Sequence, residues 1–554
     1  MPSPKCPICK QYVERLQHIF TSEDEQTVVD KIRKRYPGWS VYQGMCERCL
    51  YLNEFEEAYV GEGFLPDPGF NGLGPSALRS SLFRARTNNE FALLPLPLRL
   101  NADPRFRGRG VTIAFIDSGF SLHPDLVKPR NRIKAILDVT DEQVSRSYFK
   151  KAHEESWHGT MTSVTAAGNG TLSDGMYRGI ASEANVVLIK VLNTRTRRIS
   201  RADILRALHW ATEHAAEYNI RIISMSVYDD EPAMSADNPV DRAVEEAVQK
   251  GIVVVAAVGN NPDRPILPPA SSPSAITVGG VDDKNEVWKE FRRMFPSTYG
   301  RTAEGIAKPE VIAPAIWIAA PILPGTTQFL EAPILFKLLN ASPRRAERLL
   351  ERYRAVGGRI PKQIVRRDYK AWARTRIQEM KYVAPYYKHA DGTSFAAPIV
   401  SAVIAQMLEA HPDLTPAAIK AILMETAEPL KHASPDQQGS GVLNPRLAVL
   451  TALTRGHRDL APGVHMIDGK ILFLYHNRVP RKVAIAGSFN NWNADALRLR
   501  ESFDGWWSAW MPKPQPGEYQ YKFVIDGAVW LEDPANSRKV PDGFGGWNSM
   551  LIVN

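Results

Sequence analysis

The stretch HADGTSFAAPIVSA (residues 389–402) decides how the rest of this chain is interpreted. Gly392, Thr393 and Ser394 stand directly before a long apolar run that already carries a proline, Pro398. A hydroxyl residue at this place is either an N-cap, which accepts hydrogen bonds from first-turn amides, or a nucleophile at the positive end of a helix. The rest of the chain has to distinguish these two interpretations.

Short, nearly continuous apolar runs recur upstream of this stretch: VTIAFIDSG (111–119), NVVLIKVL (185–192), IRIISMSV (220–227), GIVVVAAVGN (251–260) and SAITVGG (274–280). Strands buried on both faces of a parallel sheet have this composition. Helical patterns, RADILRALHWATEHAAE (201–217) and PVDRAVEEAVQKG (239–251), lie between them. The alternation predicts an α/β fold with a doubly wound parallel sheet, whose functional residues gather at the carboxyl ends of strands.

Reactive side chains stand beside glycines in several of these segments. Asp117 ends a predicted strand, His158 opens a small-residue helix (SWHGTMTSVTAAGNG), and Ser394 completes the set. A hydroxyl is a poor nucleophile at neutral pH, so it needs a base, and the base needs an acid that fixes its tautomer. Asn260 follows Gly259 after another strand and offers an amide donor for an oxyanion. Each piece alone is also typical of a turn or a structural residue.

These motifs together resemble the subtilisin-like serine proteases over a predicted domain at 105–455. FIDSGFSLHPDL is similar to the family's Asp motif, HGTMTSVTAA to its His motif and DGTSFAAPIVSAVIA to its Ser motif. The resemblance implies that Ser394 attacks the scissile carbonyl and that His158 transfers the proton. It also implies that Asp117 orients His158, and that Asn260 and the Ser394 N–H bind the oxyanion.

The predicted substrate-binding residues depart from the family pattern at one position. Ser226, Val227 and Gly259 fit, but Tyr228 stands where the family commonly has glycine. The tyrosine is expected either to narrow the pocket for the substrate's first side chain or to point to solvent. Met161 replaces the usual second histidine of the His motif, which is not part of the catalytic set.

A basic insertion at 321–388 is the larger departure. Its segment SPRRAERLLERYRAVGGRIPKQIVRRDYKAWARTRIQEMK (342–381) predicts two helices. Such charge runs usually form a solvated face. The alternative is a lid or an exosite for acidic partners.

The N-terminal residues 1–60 form a predicted zinc-ribbon-like domain, followed by a Gly- and Pro-rich linker at 61–104. The chain's four cysteines, Cys6, Cys9, Cys46 and Cys49, make a CxxC…CxxC set, and thiolates at this spacing complete a tetrahedral zinc site. Free or redox-active thiols are the alternative. With no signal-like or membrane-spanning apolar segment at the sequence level, we expect a cytoplasmic protein without membrane partners. A net charge of +9 does not imply a nucleic-acid partner.

Residues 465–554 alternate and are rich in aromatics, which predicts a small all-β domain. VAIAGSFNNWN and YQYKFVIDGAVWLEDP resemble the carbohydrate-binding module of glycogen-branching enzymes and of the AMP-activated kinase beta subunit, which implies an immunoglobulin-like sandwich. That resemblance implies that Trp492 and Trp530 stack on glucose rings while Lys522 and Asn548 hydrogen-bond hydroxyls. The alternative is that the tryptophans are core residues.

The sequence therefore predicts an intracellular serine endopeptidase that acts on peptide or protein substrates and is tethered to glycogen or another α-glucan. The competing hypothesis is a catalytically silent or self-processing scaffold that binds glucan or protein partners. Structural zinc is expected at the N-terminus. Calcium is common in the resembled family, but the sequence does not identify its ligands.

Overall fold

The computed structural model describes residues 93–553, apart from residues 142, 230–236, 288, 361–367, 456–461, 468–469, 478, 481 and 502–505, and before residue 93 only positions 7 and 40. The predicted zinc-ribbon-like domain, its four cysteines and most of the linker lie outside the described residues. The contacts divide the chain into two compact units, residues 1–409 with 427–443, and residues 410–426 with 444–554.

The first unit contains a sheet of eight strands. Seven of them are parallel, in the order β10-β6-β5-β4-β1-β3-β2, and β7 pairs antiparallel with β6. The strands of this unit are β1 (Thr112–Asp117), β2 (Ile133–Asp138), β3 (Asn185–Lys190), β4 (Ile220–Met225), β5 (Val253–Ala257), β6 (Ile276–Asp282), β7 (Arg293–Met294), β8 (Gly300–Arg301), β9 (Ala307–Lys308), β10 (Val311–Pro314), β11 (Ile318–Pro321), β12 (Tyr382–Ala384) and β13 (Tyr387–Ala390).

The helices of the described residues alternate with these strands and then continue past them. They are α1 (Leu96–Arg99), α2 (Pro124–Val127), α3 (Ser156–Ala167), α4 (Arg201–Glu213), α5 (Ala215–Tyr218), α6 (Pro239–Gln249), α7 (Thr327–Leu339), α8 (Pro343–Ala355), α9 (Tyr369–Glu379), α10 (Thr393–Ala410), α11 (Pro416–Thr426), α12 (Pro435–Gln438) and α13 (Pro445–Arg455).

Helices α4 and α6 cover one face of the sheet, and their start signals are plain in the sequence. Ser200 and Asp203 form a capping box at the start of α4. Asn238 caps α6, with Pro239 at its first position. Their apolar residues pack with alternate residues of the central strands, among them Ile116 and Ile189. The intervening strand residues, such as Phe115 and Leu188, are also buried. Burial on both faces explains the continuous apolar runs.

The predicted α/β parallel sheet is confirmed. All five predicted strands form and pair in parallel. Three further strands of this sheet, β2, β7 and β10, were not predicted. In β2 only the two end residues, Ile133 and Asp138, are buried, so this edge strand lacks the continuous apolar signal.

The insertion begins and ends on neighbouring antiparallel strands. Pro321 of β11 pairs with Tyr387 of β13, and β12 adds a third strand. The two predicted helices correspond to α8 and α9, and α7 precedes them unpredicted. The three helices share a core that includes Leu335, Leu349 and Ile377. The segment is therefore a folded element with its own packing.

Helix α10 is, by length and composition, the one helix among the described residues that could cross a membrane. However, 83 % of its apolar window is buried inside the protein. Packing in the core accounts for its composition.

The second unit contains an antiparallel sheet path of nine strands: β14 (Gly463–Ile467), β15 (Lys470–His476), β16 (Val483–Gly487), β17 (Arg498–Glu501), β18 (Trp506–Pro512), β19 (Gly517–Ile525), β20 (Val529–Leu531), β21 (Lys539–Pro541) and β22 (Trp547–Val553). Strand β17 pairs with β18 on one side and β16 on the other. Strands on both sides of β17 contribute to one core, which includes Phe473 of β15 and Phe523 of β19. The predicted all-β C-terminal region is confirmed.

Candidate active site

Asp117 and His158 come together at the carboxyl end of β1. The Nδ1–H of His158 donates to Asp117 Oδ1 at 2.6 Å. The carboxylate is only 2 % exposed, and it also accepts the backbone N–H of Ser118 at 2.6 Å. With its proton on Nδ1, the imidazole has an unprotonated Nε2, and the role of that nitrogen as a base stays a prediction.

The charge of Asp117 raises the pKa of His158 above its ordinary value of 6.5. Partial burial of the ring opposes this shift, and the hydrogen bond to Asp117 adds to it. A base whose pKa lies above 6.5 loses its proton only as the pH rises through that pKa. The neutral form that accepts a proton from a hydroxyl is therefore favoured on the alkaline side.

A glycine follows His158 because the backbones of two segments meet there. A Cβ at Gly159 would lie 2.3 Å from the carbonyl oxygen of Gly119. That spacing excludes any side chain, so the glycine allows α3 to approach the loop after β1. The close approach brings the imidazole within reach of Asp117.

Ser394 lies in the first turn of α10. The ring of its neighbour Phe395 stands 6.3 Å from the His158 ring, centroid to centroid. The Ser394 carbonyl accepts a hydrogen bond from Ser226 Oγ at 3.0 Å, which joins the nucleophile segment to the predicted substrate strand. Among the described residues, Ser394 Oγ makes no hydrogen bond to His158, so that contact stays a prediction.

Asn260 is held against the same turn of α10. Its Oδ1 accepts from the Thr393 N–H at 2.8 Å and from Thr393 Oγ1 at 2.9 Å. Its Nδ2 lies on the side of Gly392, 3.3 Å from where a Cβ on that glycine would stand. With the amide oxygen engaged, the NH₂ group is left to donate elsewhere, as an oxyanion donor must.

Gly259 has a left-handed φ of +109°, and a Cβ there would lie 2.8 Å from Thr298 Oγ1. Both features require glycine. The Gly259 N–H donates to Thr393 Oγ1 at 3.2 Å. This hydrogen bond connects the segment after β5 with the first turn of α10.

The remaining predicted substrate residues follow β4. Val227 is buried, and Tyr228 is 50 % exposed. Residues 230–236, which follow, are outside the described part of the chain. Half-exposure leaves both interpretations of Tyr228 open.

Three threonines at this site were not predicted. Thr162 Oγ1 donates to Asp117 Oδ2 at 3.0 Å, Thr393 orients Asn260, and Thr298 packs against Gly259. Threonine is too common in helices and loops to attract attention alone. The signal available in the sequence was position: Thr162 lies four residues after His158, on the same helix face, and Thr393 precedes Ser394.

The predicted carbohydrate residues lie in the second unit. The rings of Trp492 and Trp530 are 6.4 Å apart and inclined by 39°, and they are 36 % and 44 % exposed. Neither is a core residue. Lys522 Nζ forms an ion pair with Asp542 at 2.6 Å, and Asn548 Nδ2 donates to Gln520 at 2.8 Å.

An exposed aromatic on the β21–β22 hairpin was not predicted. Phe544 is 96 % exposed. Asp542 Oδ1 braces this hairpin by accepting the N–H groups of Phe544 and Gly546 at 2.8 and 2.9 Å. Since Asn548 and the partner of Lys522 belong to the same hairpin, Phe544 stands near the predicted sugar residues.

Within the described ranges, no group of three or more His, Cys, Asp or Glu side chains is arranged to hold a metal ion. The predicted zinc ligands are outside those ranges. Calcium ligands remain unassigned.

Comparison with known proteins gives two matches to families. The profile described as "Subtilase family" matches residues 108–442. The profile described as "Glycogen recognition site of AMP-activated protein kinase" matches residues 472–554.

Individual relatives agree with the first match. "Serine protease AprX" of Bacillus subtilis (strain 168) is 30 % identical over 349 residues, which are 61 % of this chain and 65 % of that protein. "Major intracellular serine protease" of the same organism is 29 % identical over 188 residues, 34 % of this chain and 54 % of that protein. The chain thus spans less than two thirds of the length of either relative.

Among solved structures, a mutant of the protease domain of PatA is 21 % identical, with a TM-score of 0.42, covering 64 % of this chain and 98 % of that one. The subtilase match covers more than half of the chain and includes the segments of Asp117, His158, Asn260 and Ser394. The chain belongs to the subtilase family.

Proposed function

We propose that the chain is a serine endopeptidase with Ser394 as nucleophile. Ser394 Oγ attacks the scissile carbonyl while His158 Nε2 takes its proton. His158 then gives that proton to the leaving amine, and water hydrolyses the acyl-enzyme with His158 again as base. Asp117 holds the imidazole in the required tautomer and stabilises its charged form.

Asn260 Nδ2 and the Ser394 N–H are the proposed oxyanion donors. The engagement of Asn260 Oδ1 by Thr393 supports this role, because it fixes which end of the amide faces the site. Fixed donors stabilise the charge that develops on the carbonyl oxygen without reorganising during the reaction.

The observation that carries the proposal is the 2.6 Å contact between His158 Nδ1 and the buried Asp117 carboxylate. The imidazole also lies 6.3 Å, ring centroid to ring centroid, from Phe395, the residue after Ser394. A buried carboxylate on Nδ1 supports the role of a base, because it fixes the tautomer that leaves Nε2 without a proton. The subtilase membership supports the same roles.

A fluorophosphonate probe tests this proposal. We expect stoichiometric labelling that is lost in Ser394→Ala and strongly slowed in His158→Ala. Ser401→Ala is the matched control, since Ser401 lies on the same helix but donates to the Ala397 carbonyl inside the core. Unlabelled wild-type protein would favour the silent scaffold, and labelling that survives Ser394→Ala would assign the wrong nucleophile.

We also propose that the C-terminal module binds glycogen or a related α-glucan. Flat, half-exposed aromatic rings offer a surface to the apolar faces of sugars, and Trp492 and Trp530 provide two of them. Lys522 and Asn548 are the proposed hydroxyl partners. The match to a glycogen recognition site supports the ligand class. Affinity electrophoresis of the full chain in glycogen gels tests it, and unchanged mobility would refute it.

We also propose that the N-terminal part of the chain binds zinc and that the protein works in a reducing compartment. The CxxC spacing of Cys6, Cys9, Cys46 and Cys49 supports one structural zinc ion, and the absence of cysteine elsewhere in the chain supports a reducing compartment. Elemental analysis of the purified full chain and of Cys46→Ser tests the metal. Equal zinc content in both proteins would contradict the ligand set.

A further inference from the structure

Lys388, in β13 at the base of the insertion, is a half-buried cation. Among the residues that the structure describes, it forms no ion pair. Its Nζ donates one hydrogen bond, to Gln328 Oε1, which is long at 3.4 Å. The same Nζ lies 5.8 Å from the ring centroid of Trp157. An ammonium group has three N–H donors, so Lys388 retains donors for an acceptor outside the chain.

The surroundings of Lys388 do not neutralise its charge. Burial lowers the pKa of Lys388, and the charge of Lys381 lowers it further. The charge of the exposed Asp391 opposes a similar lowering of the pKa at His389 but has no such effect at Lys388. The residues opposite Lys388 in the two ladders of β13 are uncharged, Ala320 and Tyr382. A half-buried charge without a counter-ion is unfavourable, so an anion that reaches it is stabilised.

The helices that contact Lys388 do not supply that anion. Trp157 belongs to α3 and Gln328 to α7. The acidic residues of these two helices, and of the loop directly before α3, have other partners: Glu154 pairs with Arg197, Glu155 accepts from Tyr148, and Glu331 accepts from Tyr353 and Tyr382. The partner of Lys388 is therefore expected to come from a bound molecule.

Lys388 and Trp157 lie beside the proposed catalytic residues. Trp157 is half-buried, packs against the insertion core and directly precedes His158, about 3.8 Å away between Cα atoms. Lys388 precedes Ser394 by six residues, on the strand that leads to α10. In the proposed reaction His158 gives its proton to the leaving amine, so a group next to His158 borders the leaving-group side of the substrate. The first two residues after the scissile bond cover about 7 Å when extended.

We propose that Lys388 binds an acidic side chain in the first two residues after the scissile bond, with Trp157 as the wall of this subsite. The inference rests on the proposed peptidase function and names its substrate class, peptides that are acidic on the leaving-group side. The charge of the insertion agrees with this class. Residues 321–388 hold fifteen lysines and arginines against five acidic residues, and such an excess attracts anionic segments before they bind.

Internally quenched peptides test the preference. They differ only in Glu or Gln at the first or second position after the scissile bond, and they are amidated so that no terminal carboxylate supplies the anion. We expect kcat/KM to be about tenfold higher for Glu than for Gln at one of the two positions in about 0.05 M salt, because the hydrogen bond is charge-assisted. The ratio should shrink in about 0.5 M salt.

Variants of Lys388 test the assignment. Lys388→Met should bring the ratio of Glu to Gln peptides to about one, Lys388→Arg should keep it, and Lys388→Glu should make a Lys peptide the better substrate. Lys337→Met is the matched control, because it removes an exposed lysine of α7 in the same insertion, and it should keep the wild-type ratio. Each ratio compares two peptides on one protein, so partial misfolding of a variant cancels.

The outcomes separate this inference from the peptidase proposal on which it rests. Equal kcat/KM for Glu and Gln peptides in the wild-type protein would overturn the subsite and leave the peptidase proposal standing. A preference for Glu that survives Lys388→Met, or that disappears in Lys337→Met, would overturn the role of Lys388. A wild-type protein that a fluorophosphonate does not label and that cleaves none of the peptides would overturn both proposals.

Discussion

Thr162 Oγ1 lies 3.0 Å from Asp117 Oδ2, on the carboxylate oxygen that His158 does not use. The hydroxyl is 1 % exposed, so water does not replace it. Asp117 is thus bound by the imidazole on one oxygen and by a side-chain hydroxyl on the other. A hydrogen bond to a charged acceptor is stronger than a neutral one, and this one restrains the carboxylate that orients the proposed base.

Replacing Thr162 by Val tests this restraint with little change of shape. Without the hydroxyl, more of the Asp117 charge acts on the imidazole, so the already raised pKa of His158 rises further. The acid limb of kcat/KM should move to higher pH, and kcat should fall about 3- to 10-fold. Thr162→Ser should retain both. A loss of activity without movement of the acid limb would reduce Thr162 to a packing role.

Asn260→Ala removes the proposed oxyanion donor. We expect kcat to fall about 100- to 1000-fold with KM nearly unchanged, a magnitude that derives from subtilisin, a member of the same family. Thr393→Val should cause a smaller loss, because it removes the hydroxyl hydrogen bond to Asn260 Oδ1 but keeps the bond from the backbone N–H, while Thr393→Ser should behave as wild type. Steady-state kinetics on a short peptide measure this. A rise in KM with kcat unchanged would assign Asn260 to ground-state binding.

Tyr228 decides the size of the first substrate pocket if its ring folds over the cleft. In that case peptides with Ala before the scissile bond should be cleaved faster than peptides with Phe, and Tyr228→Gly should reverse the order. The comparison of kcat/KM for the two peptides measures the preference. Equal rates in both proteins would place the ring in solvent.

Trp530→Ala should weaken glycogen binding about tenfold, because one of two stacking surfaces is lost. Phe544→Ala should weaken it as well if the hairpin contacts the glucan. Val479→Ala is the matched control, since Val479 is an exposed apolar residue of the same unit, 85 % exposed. Retardation in glycogen gels reports the affinity. Wild-type mobility of Trp530→Ala would remove this residue from the binding surface.

Burial raises the pKa of Asp241 to about 6, and the hydrogen bond from Ser271 only partly offsets this. Because the folded state holds this proton more tightly than the unfolded chain, the contribution of Asp241 to stability is present below about pH 4 and is lost as the pH rises towards 6. Asp241→Asn should therefore stabilise the protein more at pH 7.5 than at pH 4.5, by about 2 kcal/mol.

Unfolding curves at the two pH values measure the difference. The exposed residue Asp263 provides the control as Asp263→Asn, which should change neither curve. If Asp241→Asn changes the free energy of unfolding equally at both pH values, the carboxyl of Asp241 does not titrate in this range.

The sequence predicted those parts of the molecule in which burial or close backbone contact restricts a position to apolar residues or to glycine. The central strands had to be apolar on both faces, and the segments of Asp117, His158 and Ser394 had to carry glycines where backbones meet, as at Gly159. Edge strand β2 was not predicted because only its two end residues are buried. Helix α7 was not predicted because it contains an internal proline, Pro333. The positioning threonines escaped because their roles depend on distances that no spacing encodes.

The pairing of Pro321 with Tyr387 has a consequence for the segment that lies between them. The two residues are direct neighbours across a ladder, so the helices between them occupy the place of a hairpin turn. The helical part therefore leaves and rejoins the sheet at a single rung of the ladder, so a change in its length leaves the pairing of the strand that leads to Ser394 in register.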